Sequence, residues 1–532
     1  MKHRASWLAA FACTFACVDV RPPASWAEPA EQPDPQASAA AEAAHARVDA
    51  DAFGVGWLER DGVFSSYSER VRLRRLPGWS LLVDDLVTLG LPDAGSGIYH
   101  AELDLAIFFI LDRHVDESPE AYRALRLERT LGFYKPGLPE PPMIATFAGR
   151  ELSFDALSGG PLDMSYLFAA HFVDADQALQ IVAWHPRTGD REALREHIRE
   201  ALAQVELMSA DEVEAVRAEL ARGPDVQNQV GATWSLRRGV FREFDRDFVW
   251  TSPSRDWVVH AGRLADRYEH GATLVLRNRM ERLVGALKVY ADPRLRERDG
   301  VEFHEFVLGE MIEAGASLEG PRRRLTIGPG EALVQTVTLK VSGLSASYEL
   351  ATIKHGAIAL VWFIGGPEAH AEASRASIDA VIVNTRVEAG LVDARTDDSR
   401  FRDLRLGYSL ELPPGYRRKL REHSELDPRI ETAAWGTDDG APTITVITLA
   451  WAASGDTREE VLELSKRYFV EQLGPPTQTR SATLDGERGE HLHWDAGDVL
   501  IVSRDWTMVA LLVDSGTTEL FERVRESFAF VD

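Results

Sequence analysis

One strand–helix unit recurs three times along this chain, and that recurrence limits the fold more than any other feature. It occupies Gln177–Leu207, Gly356–Val387 and Trp506–Val531. Each copy opens on a continuous apolar run: Ile181, Val182 and Ala183, then Leu360, Val361 and Trp362, then Val509, Ala510 and Leu511. Short runs of this kind predict strands buried on both faces. An amphipathic helix follows each run. In the first copy Leu194, Ile198 and Leu202 fall four apart and predict one apolar stripe, with Arg195, Glu196, Arg199 and Glu200 outside it. Leu520, Val524 and Phe528 repeat the spacing in the third copy. Buried strands followed by one-sided helices predict a sheet covered by helices.

The residues before each unit also follow a common order. In the first stretch an opening strand, Val71–Leu76, ends in Pro77-Gly78-Trp79. An inner strand at Glu102–Leu111, a helix from Ser118 to Gly132 with Pro119 at its first position, and a crossing rich in proline (Pro136, Pro139, Pro141, Pro142) come next. Two or three strands are expected over 143–184. Ser209 and Glu212 form a capping box for a connecting helix that Gly223-Pro224 stops. The second stretch places its opening strand at Phe248–Ser252, its inner strand at Leu283–Tyr290, a helix at Gly300–Gly315 and three strands over 325–363. The third has strands at Tyr408–Leu412 and Thr443–Ala450, a helix from Thr457 to Gly474, and strands at 479–484, 489–494 and 499–512. The expected fold class is therefore α/β (α+β): three tandem helix–sheet–helix sandwich modules with mainly antiparallel sheets. Module 1 spans 57–208, a connector helix 209–233, module 2 234–388, a linker 389–400 and module 3 401–532.

The turns Leu76-Pro77-Gly78-Trp79 and Leu412-Pro413-Pro414-Gly415-Tyr416, with the closing strand–helix unit, resemble the PsbP/Mog/DcrB-like fold. The second stretch departs from that pattern, since Ser252–Trp257 lacks the glycine. The resemblance implies a helix–sheet–helix sandwich and an adaptor-like or assembly role. It carries over no catalytic residues.

The N-terminus reads as an export signal over 1–27. Lys2, His3 and Arg4 precede a short apolar core, Ala5–Val18, and Ser25 and Ala27 suit a cleavage site. Residues 28–50 are rich in Ala, Pro, Glu and Gln and predict a flexible tether. Both cysteines, Cys13 and Cys17, lie within the signal, so the processed chain is expected to hold together by packing alone. Cys17 could carry a lipid anchor, but Phe15 stands where that signal wants a small residue, so a freely exported chain, periplasmic or extracellular, is expected. No stretch predicts a transmembrane helix. The net charge of −25 disfavours nucleic acid as a partner. The short basic clusters Arg72/Arg74/Arg75, Arg322–Arg324 and Arg417–Lys419 read as solvated faces.

Catalytic patterns fail one by one. His304-Glu305 lacks the second histidine of a zinc-protease helix, because position 308 is Leu308. Gly95-Ser96-Gly97 is a plain loop rather than a nucleophile elbow, and Gly328-Pro329-Gly330 is a turn rather than a phosphate loop. Asp49-Ala50-Asp51 begins like a calcium loop, but Phe53 takes the third ligand position. The surviving metal candidate is His491, His493 and Asp495, which alternate on one face of a strand with Leu492 and Trp494 on the other. An ordinary strand with a wet polar side explains the same pattern, so no cofactor is expected. Trp184, Trp362 and Trp494 are expected in cores, and His171, His185 and His355 have no partner visible by spacing.

The reading that results is an exported, non-enzymatic binding, adaptor or assembly protein of the bacterial cell envelope, with a protein partner. The alternatives are an envelope hydrolase whose site is assembled from scattered residues, and a carbohydrate or cell-wall binder.

Overall fold

The computed structural model describes residues 52–83, 95–113, 115–132, 137–159, 164–220, 227, 229–231, 233–278, 280–328, 330–341, 344–367, 371–388, 390–391, 393–397, 399–423, 430–438, 442–450, 458–504, 507–514 and 518–531. The predicted signal, the tether and both cysteines lie outside the described residues, as does Thr457.

The first stretch contains β1 (Ala52–Gly54), β2 (Trp57–Arg60), β3 (Val63–Ser66), β4 (Val71–Arg74), β5 (Trp79–Leu82), β6 (Ser96–His100), β7 (Leu105–Arg113), α1 (Pro119–Gly132), β8 (Leu138–Phe147), β9 (Arg150–Gly159), β10 (Met164–Asp174), β11 (Gln177–Pro186), α2 (Arg191–Ala203) and β12 (Val205–Leu207). Helix α3 (Ala210–Leu220) follows, and Ser209 and Glu212 form the predicted capping box. The second stretch contains β13 (Gln229–Val230), β14 (Trp234–Arg237), β15 (Val240–Glu243), β16 (Phe248–Thr251), β17 (Trp257–Ala261), α4 (Arg263–Tyr268), β18 (Leu274–Asn278), β19 (Leu283–Ala291), α5 (Gly300–Glu313), β20 (Ser317–Ile327), β21 (Gly330–Val341), β22 (Leu344–His355), β23 (Ile358–Pro367), α6 (Arg375–Val383) and β24 (Thr385–Val387). The third contains β25 (Ala394–Asp397), β26 (Arg400–Asp403), β27 (Tyr408–Glu411), β28 (Arg417–His423), β29 (Ile430–Gly436), β30 (Thr443–Ala450), α7 (Arg458–Leu473), β31 (Gln478–Leu484), β32 (Glu487–Trp494), β33 (Gly497–Arg504), β34 (Thr507–Asp514), α8 (Thr518–Ser527) and β35 (Ala529–Phe530).

The fold is mostly antiparallel sheet with helices packed on it. In the first stretch a small sheet runs β1-β2-β3-β4-β12 and a large one β5-β6-β7-β11-β10-β9-β8. The second has β13-β14-β15-β16-β24 and β17-β18-β19-β23-β22-β21-β20. The third has β25-β26-β27-β35 and β28-β29-β30-β34-β33-β32-β31. A helix lies against one face of each large sheet, while the closing helix and the small sheet share the other. Strand β7 shows why its sequence is apolar throughout. Leu105, Ile107, Phe109 and Leu111 enter a core with α2 and the small sheet. Ala106, Phe108 and Ile110 enter a second core with Leu131 of α1. Each fully buried large side chain of this kind contributes about 2 kcal/mol.

Several expectations need correction. The opening strands are the last strands of small meanders. The final residues of each closing unit leave the helix and form a short strand that returns to the meander: Val205 pairs with Leu73, Thr385 with Trp250, and Tyr408 with Phe530. Four strands, not two or three, lie over 138–186, and four over 317–367. The third stretch's 499–512 is a hairpin, β33–β34. Pro139, Pro141 and Pro142 sit in edge strand β8, where a missing N–H costs no ladder bond. Ser96 and Gly97 begin β6 rather than a loop. The buried face of α2 is Arg195, Ile198, Ala201 and Leu202, and on α8 Phe521 takes the place expected for Leu520.

The stretches also touch. Val213 and Val216 of α3 pack with Leu58, Tyr67 and Met208 of the first stretch and with Met280 of the second. Arg113 donates to the Met280 carbonyl (2.7 Å), and Arg405 of the third stretch donates to the Gly231 carbonyl (2.9 Å).

Candidate functional site: buried polar clusters on the large sheets

The predicted histidines do converge, on a different carboxylate. His491 and His493 lie on β32, and Asp495 is an exposed residue of the turn that follows. Asp498 is the second residue of the neighbouring strand β33, opposite His493. His491 Nε2 and His493 Nδ1 each lie 2.8 Å from Asp498 Oδ1. Arg480 Nε of β31 donates to His491 Nδ1 at 2.9 Å, which leaves the proton on Nε2 for Asp498. The His491 ring stacks on Phe521 of α8, with centroids 4.6 Å apart. Burial lowers the His491 pKa, opposed by Asp498, so the ring is neutral at pH 7. His491 is therefore not on a wet face; it is buried among satisfied partners. Among the described residues, no group of three or more His, Cys, Asp or Glu side chains is placed to hold a metal ion.

The corresponding place in the first stretch holds a second cluster. Glu140 of β8 accepts from Ser165 of β10 (3.1 Å) and from Arg195 of α2 (3.0 Å). Arg195 Nε lies 3.4 Å from His185 Nε2, and His185 Nδ1 lies 2.7 Å from the Pro186 carbonyl. Burial lowers the His185 pKa. The serine faces a carboxylate and the imidazole acceptor faces a guanidinium, so no Ser–His proton transfer is set up. Spacing concealed His185's partner, because Glu140 and Arg195 come from other elements. One signal was available: Arg195, Ile198 and Leu202 keep i, i+3, i+7 spacing. In the second stretch Arg323 of β20 makes two 3.0 Å bonds to Asp379 of α6 and lies 3.3 Å from Glu349. The middle arginine of that basic cluster is thus a partly buried tie rather than a solvated charge.

The densest cluster lies where the first two stretches meet. Asp112, fully buried on β7, accepts from Tyr122 (2.7 Å) and Gln180 (3.0 Å), lies 2.8 Å from Arg126 Nε, and pairs with Arg282 of the second stretch. Burial, then Asp112, pushes the Tyr122 phenol far up. Next to it, burial lowers the Arg113 pKa while Glu69 opposes that shift. A polar hollow of about 340 Å³ lies elsewhere in the first stretch, between the Ala148–Arg150 turn, His171 and Ala203–Leu207. None of the described tryptophans is exposed. His355 is exposed.

Parts of the chain resemble PsbP. The solution structure of cyanobacterial PsbP (CyanoP) from Synechocystis matches at 10% identity and a TM-score of 0.23, covering 28% of this chain and 91% of that one. PA94, a protein of unknown function from Pseudomonas aeruginosa, matches at 11% identity and 0.18, covering 27% and 92%. The immunity protein TplEi of the P. aeruginosa T6SS matches at 14% identity and 0.15, covering 63% and 97%. The structural resemblance is weak, and at TM-scores this low it carries no argument about function. No protein-family model matches the chain. No curated protein matches it. No helix among the described residues is long and apolar enough to cross a membrane.

Proposed function

We propose that this chain is an exported binding, adaptor or assembly protein of the cell envelope, built from three tandem copies of one sandwich module. The repeated strand orders support the module reading. The observation that carries the binding role is the outer surface of α7, where Leu464 and Tyr468, one turn apart, are 51% and 54% exposed. Leu473 at the end of the helix is also exposed. The other side of α7, with Val461 and Phe469, is already in the core, so this exposed set is surplus to folding. Large apolar side chains left in water on a helix mark a surface that gains by being covered.

The test is a cross-linking pull-down from envelope extract with wild type and a Leu464→Glu/Tyr468→Ser variant of equal Tm. A partner held by wild type and lost by the variant supports the role. A partner held equally by both removes α7 from it. Export is checked by N-terminal sequencing of the cellular protein, with Glu28 as the expected first residue.

A further inference from the structure

Each large sheet has two edges, and five of the six edges are guarded. Strand β8 carries Pro139, Pro141 and Pro142 and a register shift between Glu140 and Met143. Strand β20 has a shift between Glu319 and Arg323, with Gly320 and Pro321 inside it and three arginines after it. Strand β28 bears Arg417, Arg418 and Lys419 and a shift between Arg418 and Leu420. Strand β17 is covered by glutamine side chains: Gln227 donates to the Trp257 carbonyl and accepts from Val259 N–H, both at 2.7 Å. Strand β5 is four residues long. Bulges, prolines, charges, covers and short length are the devices by which sheet edges avoid pairing with other chains.

Strand β31 has no bulge and no proline, and side chains cover only one of its outward groups. Its seven residues, Gln-Thr-Arg-Ser-Ala-Thr-Leu, pair with β32 in unbroken register from Gln478↔His493 to Leu484↔Glu487. It has no proline, no glycine and one charge, and Gln478 through Ser481 and Thr483 are exposed. Asp485 and Gly486 both have positive φ, as a two-residue type I′ turn requires. That turn makes Leu484↔Glu487 a hydrogen-bonded pair. The backbone N–H and C=O of Thr479, Ser481 and Thr483 therefore face away from the sheet. Arg525 takes one lone pair of the Thr483 carbonyl (3.1 Å).

We propose that β31 pairs with β31 of a second copy of this chain, antiparallel and centred on Ser481. The outward groups sit symmetrically about that residue, so Thr479 meets Thr483, Ser481 meets Ser481 and Thr483 meets Thr479, all as hydrogen-bonded pairs. Three hydroxyl side chains line one side of this junction, an arrangement that favours cross-strand hydrogen bonds. On the other side Arg480 meets the small Ala482, and no like charges stand opposite each other. The guarded state of the other edges selects the same partner. An open edge that meets the same edge of another copy closes a two-fold pair instead of growing a fibre. The inference is independent of the α7 binding role.

Sedimentation velocity of the full chain tests it, from about 1 to about 100 µM. The expected result is a monomer at the low end and a dimer at the high end, favoured by added salt, because the chain's net charge of −25 opposes association. Ser481→Pro removes an outward N–H without touching the β31–β32 ladder and is expected to weaken the dimer at least about tenfold. Ser481→Lys puts two ammonium groups face to face and acts as a second variant with the same expected direction. In a Cys13→Ser/Cys17→Ser background, Ser481→Cys is expected to give a disulfide dimer under mild oxidation, since hydrogen-bonded partners lie about 5.5 Å apart, within disulfide reach. Thr326→Cys on β20 is expected to give no disulfide dimer, because its thiol lies away from the β31 junction. A chain that remains monomeric throughout, a dimer indifferent to both position-481 variants, or a Ser481→Cys dimer that does not cross-link overturns the proposal. A monomer that instead binds an extended foreign peptide along β31 also overturns it.

Discussion

Glu140 on β8 and Arg195 on α2 form an ion pair 3.0 Å long with both side chains almost wholly buried. The pair ties the closing helix of the first stretch to the edge of its sheet. Removing one member strands the other in a low-dielectric setting, so Arg195→Met is expected to cost about 3 kcal/mol. The double variant Glu140→Leu/Arg195→Met removes both charges and is expected to recover most of that loss. Urea denaturation of the four proteins in the cycle measures the coupling. A double variant as unstable as the sum of its singles would show that the pair contributes no coupling.

Asp112 makes a parallel case at the contact of the first two stretches. Arg282→Ala leaves Asp112 with Tyr122, Gln180 and Arg126, so a loss of about 1–2 kcal/mol is expected. Asp112→Ala leaves Arg126 and Arg282 without their carboxylate and is expected to cost about 3–5 kcal/mol. Calorimetry distinguishes the two and reports whether the first two stretches still melt in one transition.

His304 on α5 is buried, with Nδ1 2.9 Å from Thr352 Oγ1. Burial, then the charge of Arg322, lowers its pKa to about 4. Above about pH 6.5 both folded and unfolded states hold this ring neutral, and it adds no pH dependence. Between about pH 6.5 and 4 the unfolded chain binds a proton that the folded chain refuses, so stability falls as pH falls. The loss from this group is expected to reach about 3 kcal/mol by pH 4. His171, His185 and His491 are shifted in the same direction and steepen the fall. His304→Gln is expected to flatten the denaturation midpoint against pH over this window, and an unchanged slope would remove His304 from the account.

Gly365 on β23 lies so close to β22 that a β-carbon would sit 2.0 Å from the Ser347 carbonyl oxygen. Backbone, unlike a flexible side-chain tip, cannot step aside cheaply. Gly365→Ala is expected to destabilise the protein by about 1–3 kcal/mol, read from urea midpoints. Alanine at half-buried Gly309 of α5, where a β-carbon meets nothing within 4 Å, is the control and should stabilise slightly.

Strands and helices with strong periodicity were legible in the sequence, and Thr443–Ala450 matches β30 at both ends. The meander strands were not, because runs such as Trp57–Arg60 and Val63–Ser66 are too short to show a period. Two-sided burial hid hairpin turns inside continuous apolar sequence, as in β33–β34. On the candidate site, two of three predicted residues meet, because alternation on one strand is readable. Asp498 does not show in the alternation of β32, because a strand's neighbour is set by the turn between them. Arg195 was missed because a charged residue was assumed to lie outside the apolar stripe, although its spacing with Ile198 and Leu202 placed it within.

The short return strands have a consequence for the nascent chain. Val71 cannot meet Leu207, nor Phe248 meet Val387, until the whole intervening sheet has been synthesised. At about 5–20 residues per second, β4 waits on the order of ten seconds on the ribosome for the strand that completes its sheet. Each meander spends that interval with one bare margin, and a chain stalled before Leu207 keeps it.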